Sequence, residues 1–258
     1  STTQIGKKIR KSKQFVDYRI KKLEERKIIK GYTTVIDYAK LGYISMRIYL
    51  KLHNIAPEQQ KFMEEDLIKD SEVWWLVTLE GNWNIAYAMA VKHPLDFYGY
   101  WEKIMKKYRK YILEKSVVTY THIKQYPKSF IINEKNTDSG TLIGATKEVI
   151  LLDIKDKQLL KVIADQARLP LLEIANKLKT SPQVIRNHIK KLENLKIIQG
   201  YRALIDISLL NYRYYKSYIN LLHTNKLKEL ESFCASHPNL LNTNKTIGGK
   251  DFEVELVA

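Results

Sequence analysis

Cysteine is all but missing from this 258-residue chain, where Cys234 stands alone. That excludes an internal disulfide framework and any zinc site built from several thiolates. No apolar run approaches the roughly 18 residues that a membrane-crossing helix needs, and no signal-peptide pattern opens the chain. The glycines form no phosphate-cradling loop. The histidines (His53, His93, His122, His188, His223 and His237) lie without the i, i+4 spacing of a helical metal site. Catalysis needs converging acids, bases, nucleophiles or metal ligands, and none converge, so no catalytic residue, metal or cofactor is expected. Acidic residues are also scarce. Asp plus Glu number 28 against 44 Lys plus Arg, a formal charge of +16, which draws the surface to polyanions. The expectation is a soluble, cytoplasmic, non-membrane protein with an anionic partner.

What is present is a repeat. Arg19-Ile20-Lys21-Lys22-Leu23-Glu24 returns as His188-Ile189-Lys190-Lys191-Leu192-Glu193, and Ile28-Ile29-Lys30-Gly31-Tyr32 as Ile197-Ile198-Gln199-Gly200-Tyr201, always 169 positions on. The same offset pairs Ile5, Ile9 and Ser12 with Ile174, Leu178 and Ser181, and Ile36-Asp37 with Ile205-Asp206. The apolar helix expected over Ile154 to Ile163 has no counterpart ahead of the first copy, and Tyr126 has none after the second. The reading is therefore of a longer natural chain.

Each copy carries a helix-turn-helix pattern. In the second, Leu171, Leu172, Ile174, Ala175 and Leu178 mark a short amphipathic helix. Ser181 then caps a second helix, with Pro182 at its first position, where a missing N–H costs nothing. Ile185, Ile189 and Leu192 share its inner face. Thr180, Ser181, Gln183, Arg186, Asn187 and Lys190 point outward, with Asn194 beyond them. The first copy repeats this with Val16, Ile20 and Leu23 inward and Lys11, Ser12, Lys13, Gln14, Tyr18 and Lys21 outward. Gln and Asn suit adenine edges, and Lys suits phosphates. Asp17 takes the place of Arg186, which makes the first copy the poorer binder there. A polar outer face is also what any surface helix of a basic protein shows, but Ile197 to Ile205 follows as an expected β-hairpin turning at Gly200, the wing of a winged helix-turn-helix.

The serine cap, Val16 or Ile185, Arg19-Ile20 or His188-Ile189, the Leu-Glu pair and Ile-Ile-x-Gly-Tyr resemble the DNA-binding half of the leucine-responsive regulatory protein/AsnC family. His188 departs from the arginine of that pattern. Residues 45–121 read as strand, helix, strand, strand, helix, strand, the ferredoxin-like βαββαβ order, which resembles the family's sensor domain. The expected fold class is α+β, a tandem of winged helix-turn-helix and ferredoxin-like sandwich domains. The divisions are 1–37 (first winged helix-turn-helix, lacking its first helix), 38–128 (first sensor and dimerisation domain), 129–150 (exposed polar linker), 151–206 (second winged helix-turn-helix) and 207–258 (second sensor domain, truncated).

The resemblance implies double-stranded DNA as partner, self-association with sheet faces packed together, and an amino-acid-like effector at the turn after the second strand. Here that turn is Gly81-Asn82-Trp83-Asn84 or Gly249-Lys250-Asp251, and a plain structural turn fits these residues at least as well. Trp74-Trp75 reads as core or interface, and the basic run Lys106 to Tyr111 as a solvated helix end. Two alternatives stand beside sequence-specific regulation. One is a siroheme-decarboxylase-like tetrapyrrole enzyme, disfavoured because Trp74-Trp75 and Asn242 to Lys245 occupy strands where that class carries His and Arg. The other is a low-specificity DNA-architectural protein. Pairing inside one chain and pairing between chains both remain open.

Overall fold

The structure, a computed structural model, describes residues 1–136 and 140–258. The chain begins with α1 (Thr2–Ile9), α2 (Lys13–Glu25) and β1 (Ile29–Ile36), then β2 (Ile44–Leu52), α3 (Pro57–Lys69), β3 (Val73–Thr78), β4 (Ile85–Val91), α4 (Pro94–Tyr108), β5 (Ile112–Gln125) and β6 (Thr141–Ile143). It continues with α5 (Ile154–Ile163), α6 (Leu171–Lys177), α7 (Pro182–Asn194), β7 (Ile198–Ile205), β8 (Tyr214–Ile219), α8 (Leu227–Ser236), β9 (Leu240–Ile247) and β10 (Phe252–Val257).

These elements gather into two units that cut across the linear order: residues 1–36 with 152–214 and 258, and residues 37–151 with 215–257. The five successive divisions read from sequence are thus not five bodies. The two stretches that carry the repeated motif share one unit, and the stretches that follow each of them share the other.

In the helix-turn-helix unit the expected wing hairpin is absent. Ile198–Ile205 is one continuous strand, and Gly200 lies within it rather than at a turn. A lone strand leaves a row of backbone groups unpaired. Here β7 meets that need by pairing antiparallel with β1 of the other copy, from Ile29 opposite Ile205 to Ile36 opposite Ile198. On the other side of β1, Thr34 N–H donates to the Ala164 carbonyl at 2.9 Å and its hydroxyl to Ile163 at 2.6 Å. The two stretches that repeat in sequence are joined by backbone. Leu159, Leu160, Ile163, Ile174, Ala175, Ile185, Leu192 and Ile197 form the core beneath α5, α6 and α7.

The sensor unit is a sheet in the order β3-β4-β2-β5-β9-β10-β8, with β6 added against β5. Strands β2 to β5 with α3 and α4 form the ferredoxin-like arrangement, over a core of Ile48, Leu50, Met63, Leu67, Ile85, Tyr87, Met89, Ile104 and Ile112. The second copy contributes β8, α8, β9 and β10. Its β9 pairs antiparallel with β5, from Thr119 opposite Ile247 to Gln125 opposite Asn242, so the two stretches join edge to edge. The described parts of 129–150 depart from an exposed linker: Phe130 and Ile143 are buried and β6 pairs with β5. The part of that stretch at Thr137, Asp138 and Ser139 lies outside the described residues. Trp74, read as core or interface, is half exposed on the edge strand, at a register break between Val73 and Trp75.

Candidate nucleic-acid interface

The repeated motifs prove to be repeated bonds. Ser12 Oγ accepts from Phe15 N–H at 3.1 Å, and Ser181 Oγ from Val184 N–H at 3.3 Å, so each second helix starts on a side-chain cap. Tyr32 hydroxyl donates to Glu24 at 2.7 Å, and Tyr201 to Glu193, also at 2.7 Å. The Leu-Glu and Gly-Tyr motifs are therefore the two ends of one tie between recognition helix and strand. Burial and the Glu193 carboxylate push the Tyr201 phenol well above its ordinary range. Arg168 adds a second tie in the first copy, 2.7 Å from the Tyr32 hydroxyl and 3.2 Å from Glu24.

Helix α7 keeps Ile185 and Leu192 buried, while Gln183, Arg186, Asn187 and Lys190 are exposed along its other side. Ser181 is exposed at the cap and Thr180 half-buried beside it. Gln183 Nε2 donates to Asn187 Oδ1 at 3.0 Å, one turn on, which orients both amides before any ligand arrives. On α2, Lys11, Ser12, Lys13, Gln14, Tyr18 and Lys21 are likewise exposed around buried Val16. Lys13 there is held by Asp17 at 2.9 Å, and this hydrogen bond depresses the Asp17 carboxyl. Among the described residues, every one of these outward side chains is exposed except Thr180, which is half-buried.

A clamp that sequence reasoning missed fixes α7. Asp156, fully buried on α5, lies 2.6 Å from His188 Nδ1 and 2.5 Å from Lys191 Nζ, and Lys191 also reaches Asp153 at 3.2 Å. His188 is thus turned inward toward α5 instead of standing in for a phosphate-binding arginine. Its signal was a His and a Lys three residues apart on α7, on the side carrying the core residues. Asp153, Asp156 and His188 could hold a metal by spacing, but the Lys191 ammonium already supplies the cation between the two carboxylates. Asp153 also accepts from Asp156 N–H at 2.7 Å as the cap of α5. That bond, followed by Lys191, lowers its carboxyl to about 2.

In the sensor unit the two effector-turn candidates serve the backbone. Asn84 Oδ1 accepts from Leu52 N–H at 2.8 Å, and Asp251 Oδ2 from Leu221 N–H at 2.7 Å. These are repeat-related amides. Gly81, at φ 116°, holds a conformation that favours glycine, and Asn82 beside it is exposed. Trp83 lies 5.8 Å from the Tyr49 ring. Gly249 has Thr246 Oγ1 where a Cβ would sit, and Thr246 also donates to the Lys250 carbonyl. Between the sheet halves Lys216 is buried, 2.8 Å from Glu253, 3.1 Å from Glu255 and 2.7 Å from the Tyr120 hydroxyl. Arg47 stacks 3.9 Å from the Trp75 ring centre. Lys216 thus bridges two buried carboxylates, which spares those charges from standing alone.

The end of α4 forms a depression of about 600 Å³ lined by His53, Lys106, Lys107, Arg109 and Lys110. Cations at a helix C-terminus are ordinary complements of its dipole, and Lys107 is already paired with Asp66 at 2.8 Å.

With this geometry in place, the comparisons are specific. The winged helix-turn-helix DNA-binding family matches residues 152–199. A leucine-responsive regulatory protein of Rhizobium meliloti is 30% identical over 110 residues, 42% of this chain and 70% of that protein. The HTH-type transcriptional regulator FL11 of Pyrococcus horikoshii is 27% identical over 105 residues, 41% of this chain and 70% of that one. Among solved structures, the siroheme decarboxylase NirDL in complex with an iron-uroporphyrin III analogue superposes over 99% of this chain and 75% of its own. Its TM-score is 0.63 at 11% identity, a likeness of fold.

Proposed function

The chain belongs to the leucine-responsive regulatory protein/AsnC family, and from that premise we propose that it is a sequence-specific DNA-binding transcription regulator acting in the cytoplasm, and not an enzyme. We read it as two tandem copies of the family unit, brought together within one chain. The repeat-related serine caps, Tyr–Glu ties and the Leu52 and Leu221 amides support that reading.

One observation carries the DNA assignment: Gln183, Arg186, Asn187 and Lys190 stand exposed on a helix whose opposite side is locked by Ile185, Leu192 and the Asp156 clamp. A rigid rod offering amide, guanidinium and ammonium groups fits a major groove, where side-chain amides match adenine, guanidinium matches guanine and ammonium grips phosphate. The sensor unit then sets pairing. An amino-acid-like effector is placed at the turns around Gly81 to Asn84 and Gly249 to Asp251, with the anchoring of Asn84 and Asp251 as the contacts it would perturb.

Titration of labelled duplex with the full chain tests the proposal. The double variant Asn187→Ala/Lys190→Ala should weaken binding to a selected site roughly tenfold or more and lower the slope of log affinity against log salt by about one. Unchanged affinity and slope would remove the groove assignment. The enzyme reading rests on the fold shared with NirDL. A visible absorption band on adding a porphyrin to the full chain, together with no duplex binding, would favour it.

A further inference from the structure

The two recognition helices are held about one antiparallel ladder but do not present the same chemistry. By the 169-residue offset, Gln14 matches Gln183 and Lys21 matches Lys190, whereas Asp17 stands at Arg186 and Tyr18 at Asn187. Beyond the glutamine that both helices share, helix α7 therefore shows two further groups able to make paired hydrogen bonds to base edges, Arg186 to guanine and Asn187 to adenine. Asn187 is already oriented by its 3.0 Å bond from Gln183. Helix α2 shows an acid at the first of those places, tied to Lys13 at 2.9 Å, and a phenol at the second. On and near α2 the remaining exposed cations are Arg19, at the place of His188, and Lys11, Lys21 and Lys22, whose ammonium groups suit phosphates.

We propose that the two helices divide the work: α7 reads base edges through Gln183, Arg186 and Asn187, while α2 chiefly holds the phosphate backbone. The chain's duplex target is then asymmetric, with one half-site defined in sequence and the other tolerant. This deepens the DNA-binding reading and rests on it. The β1–β7 ladder makes the division geometrically usable, because it ties both helices into a single unit so that the tolerant contact adds affinity beside the selective one. Orienting Asn187 in advance also lowers the ordering cost of its base contact.

Selection of binding sites from a random duplex library with the full chain tests this. The expected motif has strong base preference in one half and little in the other. Asn187→Ala should erase a preference of roughly tenfold or more at one or two positions of the strong half. Tyr18→Ala/Lys21→Ala should weaken all sequences by a similar factor, leave the motif unchanged and flatten the salt slope. All these side chains are exposed, so matching thermal melts separate misfolding from lost contacts. A palindromic motif of two equal halves, or loss of base preference in the α2 variant, overturns the division while leaving DNA binding intact. Recovery of no preferred duplex overturns both.

Discussion

The two helix-turn-helix segments share local bonds and differ in depth. In each a serine caps the second helix and a 2.7 Å Tyr–Glu bond ties that helix to its strand. Yet Ile174 is 2% exposed and its counterpart Ile5 44%, while Leu192 is fully buried and Leu23 only partly. A repeated motif fixes contacts a few residues apart. Burial depends on what else is packed nearby, and here α5 packs against α7, with no described helix placed likewise on α2. The comparison teaches that equal sequence signals need not mean equal rigidity.

The largest effect should come from that difference in depth. Leu192→Ala should cost about 2–5 kcal/mol of unfolding free energy in denaturant titration, as cavities in packed cores do, and Leu23→Ala less than half as much. Equal losses would erase the contrast. Next is the clamp: Asp156→Ala should cost about 2–3 kcal/mol, because it strips charged hydrogen bonds from His188 and Lys191. It should also lower amide protection against hydrogen exchange in α7 more than in α2. The caps come third. Ser181→Ala and Ser12→Ala should each cost about 1 kcal/mol, and here the copies should agree, since the bond is the same in both.

The smallest effect is acid dependence. Asp153, held at about 2 against an ordinary 3.8, is charged in the folded chain where the unfolded chain has begun to protonate. Its contribution is complete above pH 4 and fades as pH falls from about 4 toward 2. Asp153→Asn should remove that part of the acid slope in unfolding midpoints measured across this window. An unaltered slope would show that the cap and Lys191 do not hold the carboxylate.

Much of this was legible in sequence because it is local. Ser181-Pro182 marks a helix start by chemistry confined to one turn, and Pro57 and Pro94 occupy the first positions of α3 and α4 by the same chemistry. The exposed row on α7 followed from period alone. Pairing at long range was not legible. Gly200 suggested a turn, but whether a strand doubles back or finds a partner depends on where β1 lies, 169 residues away in repeat register. The stretch from Asn133 looked like linker because it is polar, while flanking Phe130 and Ile143 are buried by contacts no local pattern records. The inward turn of His188 needed knowledge of Asp156 on another helix.

The most direct measurement is a hydroxyl-radical footprint of the full chain on duplex DNA at moderate salt. The account predicts protected backbone in two short patches on one face of the duplex, separated by roughly one helical turn or a multiple of it, with Asn187→Ala/Lys190→Ala weakening the patch under α7 first. Uniform protection that ignores sequence, or none at any concentration while the protein remains folded, would contradict it.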